Sequence, residues 1–227
     1  MKNPHFNPHK THHRPDGFQN NYLSFRGKRW HEVLRWRWQA WRSGHPRPLT
    51  TPLPVVAPDL AFIHANARAG LAMQPSATWI GHITVLLQIG GLNILTDPVF
   101  SERCFPVQWA GPRRQTPPGL SLQQLPHIDV VLLSHNHYDH LDEGSMKALA
   151  QQSGGPPLVI CPLAHKKWLH RWGLNRVVEL DWWDTHVIEA TAHNLRIPVV
   201  LTPAQHWSAR TATDALRLSL IHISEPT

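Results

Sequence analysis

Ile128–Leu133 (IDVVLL) runs without interruption into Ser134–Asp142 (SHNHYDHLD), and this junction decides how the chain is read. An apolar run of that length predicts a buried strand. At its carboxyl end His135, His137, Asp139 and His140 crowd into six residues. In an extended segment residues two apart share a face, so His135 and His137 can hold one metal ion together. Asp139 continues that register, whereas His140 needs a turn, which would carry Asp139 and His140 to a second ion nearby. Imidazole and carboxylate donors with few thiols favour zinc among first-row metals.

Short apolar runs separated by turn signals surround this junction. Upstream, ATWIG, ITVLLQIG and LNILTDP predict consecutive strands from Ala77, with Gly90-Gly91 as a hairpin turn. Ser101–Pro126 reads as a long loop. Downstream, Gly144–Gln152 predicts a helix, LVIC a strand and LAHKKWLHRWG a helix ended by Gly173. RVVEL, HVIEA and LRIPVVLT predict further strands. The fold class is α/β (α+β), with sheets covered by helices.

The chain has 227 residues, 41% of them hydrophobic, enough for a core and too many for wholesale disorder. Cys104 and Cys161 exclude a disulfide scaffold and read as inert thiols in a reducing compartment. No apolar run reaches the roughly 18–20 residues of a membrane span, and MKNPHFNPHKTHHRP lacks the apolar region of a signal peptide. The expected location is the cytoplasm, with peripheral contact at the inner membrane face. The excesses are 18 His and 11 Trp.

The net charge of +7 is unevenly spread: residues 1–50 hold ten Lys and Arg against two acids, leaving the remainder near neutral. Four parts follow: a basic, Trp-rich arm (1–50), a Pro-rich linker (51–76), the body (77–217) and a tail (218–227). Lys28–Arg42 (KRWHEVLRWRWQAWR) predicts a helix with Trp30, Val33, Leu34, Trp38 and Trp41 on one arc and Lys28, Arg35 and Arg42 opposite, a pattern that Trp36 and Arg37 break. Trp30, Trp38 and Trp41 suit a lipid headgroup layer. Packing of the same face onto the body is the reading placed first, lipid contact comes second, and nucleic-acid binding ranks last.

HNHYDH resembles the HxHxDH motif of the metallo-β-lactamase superfamily. TWIGHITVLLQIGGLNILTDPVFSERCFP, WAGPRR, LPHIDVVLLSHNHYDHLD and PAQHWSAR narrow the likeness to the N-acylphosphatidylethanolamine-hydrolysing phospholipase D family and its bacterial relatives, over roughly residues 77–210. The resemblance implies an αββα sandwich with a dinuclear zinc site at one edge of the sheets. His135, His137 and His206 match the first site. Asp139 and His140 match the second and take the catalytic assignment. The implied reaction is hydrolysis of a phospholipid phosphodiester by a metal-bound hydroxide. A lactonase or a soluble phosphodiesterase on the same scaffold is the alternative.

Around this set, Asp97 reads either as an orienting partner of a ligand histidine or as a turn residue before Pro98. His82 reads as lining the site or as a buried histidine, and Tyr138 as a substrate contact or a structural ring. Arg113 and Arg114 read as a solvated pair rather than a phosphate clamp, and His165 and His170 as surface residues. Asp181 and Asp184 read as a turn. The five histidines among the first 31 residues show no ligand spacing.

The family pattern continues with a Gly-Asp turn whose Asp bridges both metals and with a later His. Asp214 and His222 match neither context. Leu218–Thr227 (LSLIHISEPT) instead resembles a translated sequencing-library adapter. The expectation is therefore an incomplete sandwich, a fragment with at most one zinc ion and no full activity of its own.

Overall fold

The structure is a computed structural model that describes residues 2–21, 30–44, 54–190, 195–204, 206 and 210. The tail at 218–227, Asp214, His222 and the start of the Pro-rich linker lie outside the described residues, as do the side chains of Trp30 and Val33.

The body is built on one six-stranded mixed sheet. β3 (Ser76–Gly81), β4 (Thr84–Ile89) and β5 (Leu92–Thr96) form an antiparallel meander, and β6 (Val130–Leu132), β7 (Leu158–Pro162) and β8 (Val177–Leu180) continue it in parallel. The β4–β5 turn is the expected two-residue hairpin: Ile89 pairs with Leu92, and Gly90 and Gly91 take φ of 60° and 79°, which residues with a Cβ adopt only with strain. The segments before it are β1 (His13–Arg14) and β2 (Gly17–Phe18), a small hairpin, then α1 (Trp30–Ser43) and α2 (Leu60–Ala67).

Parallel neighbours need crossovers; the long segment 97–129 connects β5 to β6, and two short helices supply the other two. α3 (Glu143–Ala150) joins β6 to β7, and α4 (Lys166–Arg171) joins β7 to β8. Asp142 caps α3, its carboxylate accepting from the Ser145 amide at 3.2 Å and from the Ser101 amide at 3.1 Å. One side chain thus starts the helix and pins the loop that leaves β5.

The pleat sorts the strands' apolar residues onto two faces. Leu95, Val131, Val159 and Cys161 pack with Ile63, Met146, Leu149 and Leu169 of the helices. Ile94, Val130 and Ile160 face the other way and meet Ile188, Leu201 and Trp182. The second set brings in a separate antiparallel hairpin, β9 (Thr185–Ala190) and β10 (Leu195–Val200). The layers are helix, sheet and hairpin, which is why β6 and β7 read as continuous apolar runs.

The basic arm is not one unit. Phe18 lies in the core cluster with Ile94 and Val130, so its first part is built into the body. α1 is different: Leu34, Trp36, Trp38 and Trp41 are exposed, which contradicts packing of its Trp face onto the body.

Candidate metal centre

Asp97 and His135 stand at the carboxyl ends of the adjacent parallel strands β5 and β6, the usual place for a site in such a sheet. β6 ends at Leu132, three residues before His135, so His135 and His137 are placed by a loop rather than by an extended strand. A turn follows at once, with the amides of His140 and Leu141 donating to the His137 carbonyl at 3.0 and 2.8 Å. It swings Asp139 and His140 away from His137, as the spacing requires.

Two donor groups result. His135 Nε2 lies 3.0 Å from His137 Nδ1, and His206 Nε2 lies 3.1 Å from the same atom. One ligand atom from each of the three rings falls within 4.8 Å of the others. In the second group, His82 Nε2 lies 3.1 Å from Asp139 Oδ2, and His140 Nε2 is 3.8 Å from that oxygen.

The hydrogen bonds behind these rings assign their protons. Asp97 only accepts, and both Ser134 Oγ and His140 Nδ1 (2.8 Å) point at its Oδ2. His140 therefore carries its proton on Nδ1 and keeps the Nε2 lone pair. The Ser134 hydroxyl, having donated to Asp97, accepts from His135 Nδ1 at 2.9 Å, which frees Nε2 of His135 in the same way. Asp97 thus contacts His140 directly and His135 through Ser134, the geometry that the first of its two sequence readings expects. It does so at a φ of +33°, and His82 stands at +52°; both are unusual for residues with a Cβ and both adjoin the site.

Electrostatics keep two of the rings, those of His135 and His206, neutral. Burial, with His140, His137 and His206 nearby, pushes His135 far below the usual histidine range. Burial and His137 lower His206 to about 4. Asp139 is partly desolvated, which raises its pKa, but His140 and His82 hold it below the ordinary value. A tetrahedral zinc ion with nitrogens at about 2.0–2.1 Å sets those nitrogens about 3.3 Å apart. His137 Nδ1 lies slightly closer than that to the other two nitrogens, and the donor chemistry of the three rings fits a first-row divalent ion.

A beta-lactamase superfamily domain model matches residues 92–222, more than half of the chain. The chain belongs to the beta-lactamase superfamily. Its superfamily relatives include an uncharacterized protein of Mycobacterium tuberculosis, 39% identical over 171 residues that cover 74% of this chain and 42% of the relative. The N-acyl-phosphatidylethanolamine-hydrolyzing phospholipase D 1 of Caenorhabditis elegans is 36% identical over 61% of this chain and 39% of its own length. The mitochondrial enzyme of that name from Saccharomyces cerevisiae is 37% identical over 72% of this chain and 35% of its own length. The chain thus spans about two fifths of the length of the curated relatives it matches.

Other expected residues fall as follows. Tyr138 lines a cleft of about 370 Å³ beside the motif loop, with Phe105, Asp142 and Arg210 among its walls, and its hydroxyl donates to the Arg210 carbonyl at 3.2 Å. His82 is exposed, which removes the buried reading. Arg113 pairs with Glu102, and Arg114 donates to the carbonyls of Val99 and Ser101 at 2.6 and 3.1 Å, so Arg114 is a loop brace rather than a solvated partner. His165 is fully buried, not on the surface: the helix begins at Lys166, and His165 is its N-cap, with Nδ1 at 2.9 Å from the Pro162 carbonyl. His170 is exposed as expected, and both cysteines are free thiols.

Sequence reasoning missed a second buried cluster. Asp181 receives His12 Nε2 at 2.7 Å, His13 Nε2 at 2.8 Å and Lys10 Nζ at 2.5 Å. Asp181 is indeed in a turn, but a buried one. His12, His13 and Asp181 together resemble a metal site, and the protons argue otherwise. His13 Nδ1 accepts from the Asn7 amide at 3.1 Å, so its proton sits on Nε2 and donates to Asp181. The Lys10 ammonium already supplies a cation. This is a hydrogen-bonded clasp that holds the N-terminal segment on the body.

Proposed function

We propose that this chain carries the metal centre of a zinc-dependent hydrolase that cleaves the phosphodiester of an N-acyl phosphatidylethanolamine-like lipid. The observation that carries the metal reading is the convergence of His135 Nε2, His137 Nδ1 and His206 Nε2 within 4.8 Å at the carboxyl ends of two parallel strands. The 36% and 37% identity to two phospholipases named for that lipid supports the substrate class.

The division of labour follows from the hydrogen bonds. His135, His137 and His206 would hold one ion, and Asp139 and His140, with His82 beside them, would supply donors to a second. When bound, zinc supplies a Lewis acid and an ionised water near neutral pH. Asp97 and Ser134 fix the protons of His135 and His140 on the nitrogens facing away from the donor groups. Preset tautomers avoid reorganisation as ligands bind. The cleft at Tyr138 and Arg210 offers room beside the motif loop, and the Arg210 cation suits an anionic substrate.

We place α1 at the surface of the lipid that carries this substrate. Leu34, Trp38 and Trp41 recur at i, i+4 and i+7, and Trp38 and Trp41 are 53% and 76% exposed. Arg42 lies 4.8 Å above the Trp38 ring, so cation and indole are presented together. Among the described residues no helix is long and apolar enough to cross a membrane.

The test is release of N-acylethanolamine from N-acyl phosphatidylethanolamine vesicles, set against a small phosphodiester and a lactone. It is run on this chain and, where the source locus encodes a longer one, on that product. Chelator-sensitive release from the lipid, lost in H135A, is the expected result. Turnover of the lactone or the small diester with none of the lipid would reassign the substrate.

A further inference from the structure

We propose that Arg210 is a positioning residue that docks the third histidine of the metal centre onto the loop carrying the first two. The inference rests on the metal-centre reading above.

His206 has a placement problem that His135 and His137 do not share. Those two follow directly from a central strand, whereas His206 lies six residues past the end of β10, an edge strand of a two-stranded hairpin. A ligand on such a segment is set loosely unless both flanks are held, because loop residues keep their conformational freedom until contacts remove it. On the near flank Leu201 is buried, its amide donating to the Asp184 carbonyl at 3.0 Å and its carbonyl accepting from the Trp183 amide at 2.6 Å.

Arg210 holds the far flank, four residues after His206. Its Nη1 donates to the Leu141 carbonyl at 2.5 Å, with the Asn136 carbonyl at 3.4 Å. Those two carbonyls bracket His137, Tyr138, Asp139 and His140. The guanidinium stacks 4.2 Å from the Tyr138 ring centre and lies 5.4 and 5.9 Å from the rings of Trp172 and Trp168, which belong to α4 and its cap. The Arg210 carbonyl accepts from the Tyr138 hydroxyl at 3.2 Å, so backbone and side chain are gripped by the same loop. One planar cation therefore ties the PAQHWSAR segment to the SHNHYDHL loop and to α4. A planar guanidinium can stack and donate in plane at once, which an ammonium cannot.

The experiment is titration of the whole chain with Co²⁺ alone, followed by its visible absorption, in wild type, R210A, R210K, H206A and the H206A/R210A double variant. Wild type is expected to bind, and R210A to bind about 10- to 100-fold more weakly, with a spectrum shifted toward that of H206A. R210K should fall between the two. In the H206A background, R210A should change affinity less than about twofold, because the residue acts through His206. Near-UV circular dichroism tracks packing; if R210A loses it, R210K carries the comparison.

Wild-type binding with R210A and R210K indistinguishable from it overturns the inference. So does an R210A loss as large in the H206A background as in wild type, since Arg210 would then act on the loop as a whole. A wild type that binds no Co²⁺ overturns the metal-centre reading, and this inference with it.

Discussion

Asp97 Oδ2 lies 2.8 Å from Nδ1 of His140, while its Oδ1 accepts from the Ser134 amide at 2.7 Å, so one buried carboxylate at the end of β5 holds both ends of the loop that carries His135, His137 and Asp139. The chain tolerates a positive φ at Asp97 to bring it there. Loss of such an outer carboxylate costs about 10- to 100-fold in metal affinity in comparable sites. Asp97→Ala is therefore expected to lower affinity for added zinc or Co²⁺ by that order while leaving the sheet intact. Competition with a chromophoric chelator, alongside far-UV circular dichroism, measures both. Unchanged affinity would leave Asp97 a turn residue only.

The clasp on Asp181 predicts acid loosening in two stages. His12 has a lowered pKa because burial outweighs its Asp181 partner, so the unfolded chain takes up that proton first. Stability is then lost as pH falls below 6.5, the ordinary histidine value. Asp181 is raised by burial, but hydrogen bonds from Lys10, His12, the Trp182 amide and His13 bring it down to about 2. Its contribution is present above pH 3.8 and is lost as pH falls toward 2. A shift of that size is worth roughly 2 kcal/mol. Asp181→Asn should flatten the lower stage in urea melts taken across pH; a pH profile identical to wild type would contradict the clasp.

For α1 the expected behaviour is binding to anionic vesicles that weakens as salt rises, since the basic charge is screened over a Debye length of about 10 Å at 0.1 M. W38A/W41A should bind more weakly still at every salt concentration. Sedimentation with phosphatidylserine vesicles reads both effects. Binding insensitive to salt and to the double substitution would remove α1 from the membrane.

What the sequence makes legible here is local. The metal loop can be read because HNHYDH abuts an apolar strand, and the β4–β5 hairpin because Gly90-Gly91 supplies two residues free to take positive φ. Asp97 is legible as a candidate from its place after a strand, whereas its hydrogen bonds to His140 and Ser134 are not. His165 reads as a surface residue only on a helix that includes it; the helix starts one residue later and leaves His165 as its buried cap. The Asp181 clasp left no local signal at all: His12 and Asp181 are 169 positions apart, and nothing in HHRP or DWWD names the other. Arg210 is the intermediate case. PAQHWSAR marks the segment, but its contacts with Leu141 and Trp172 depend on how β10 and α4 pack.

The central claim is that His135, His137 and His206 form a metal centre. The most direct measurement is the metal content of the purified chain by plasma mass spectrometry after incubation with zinc and desalting, compared with H135A/H137A. The account predicts about one tightly held ion per chain in the wild type and a content near background in the variant. A wild type that retains no metal, or a variant that retains as much, would contradict it.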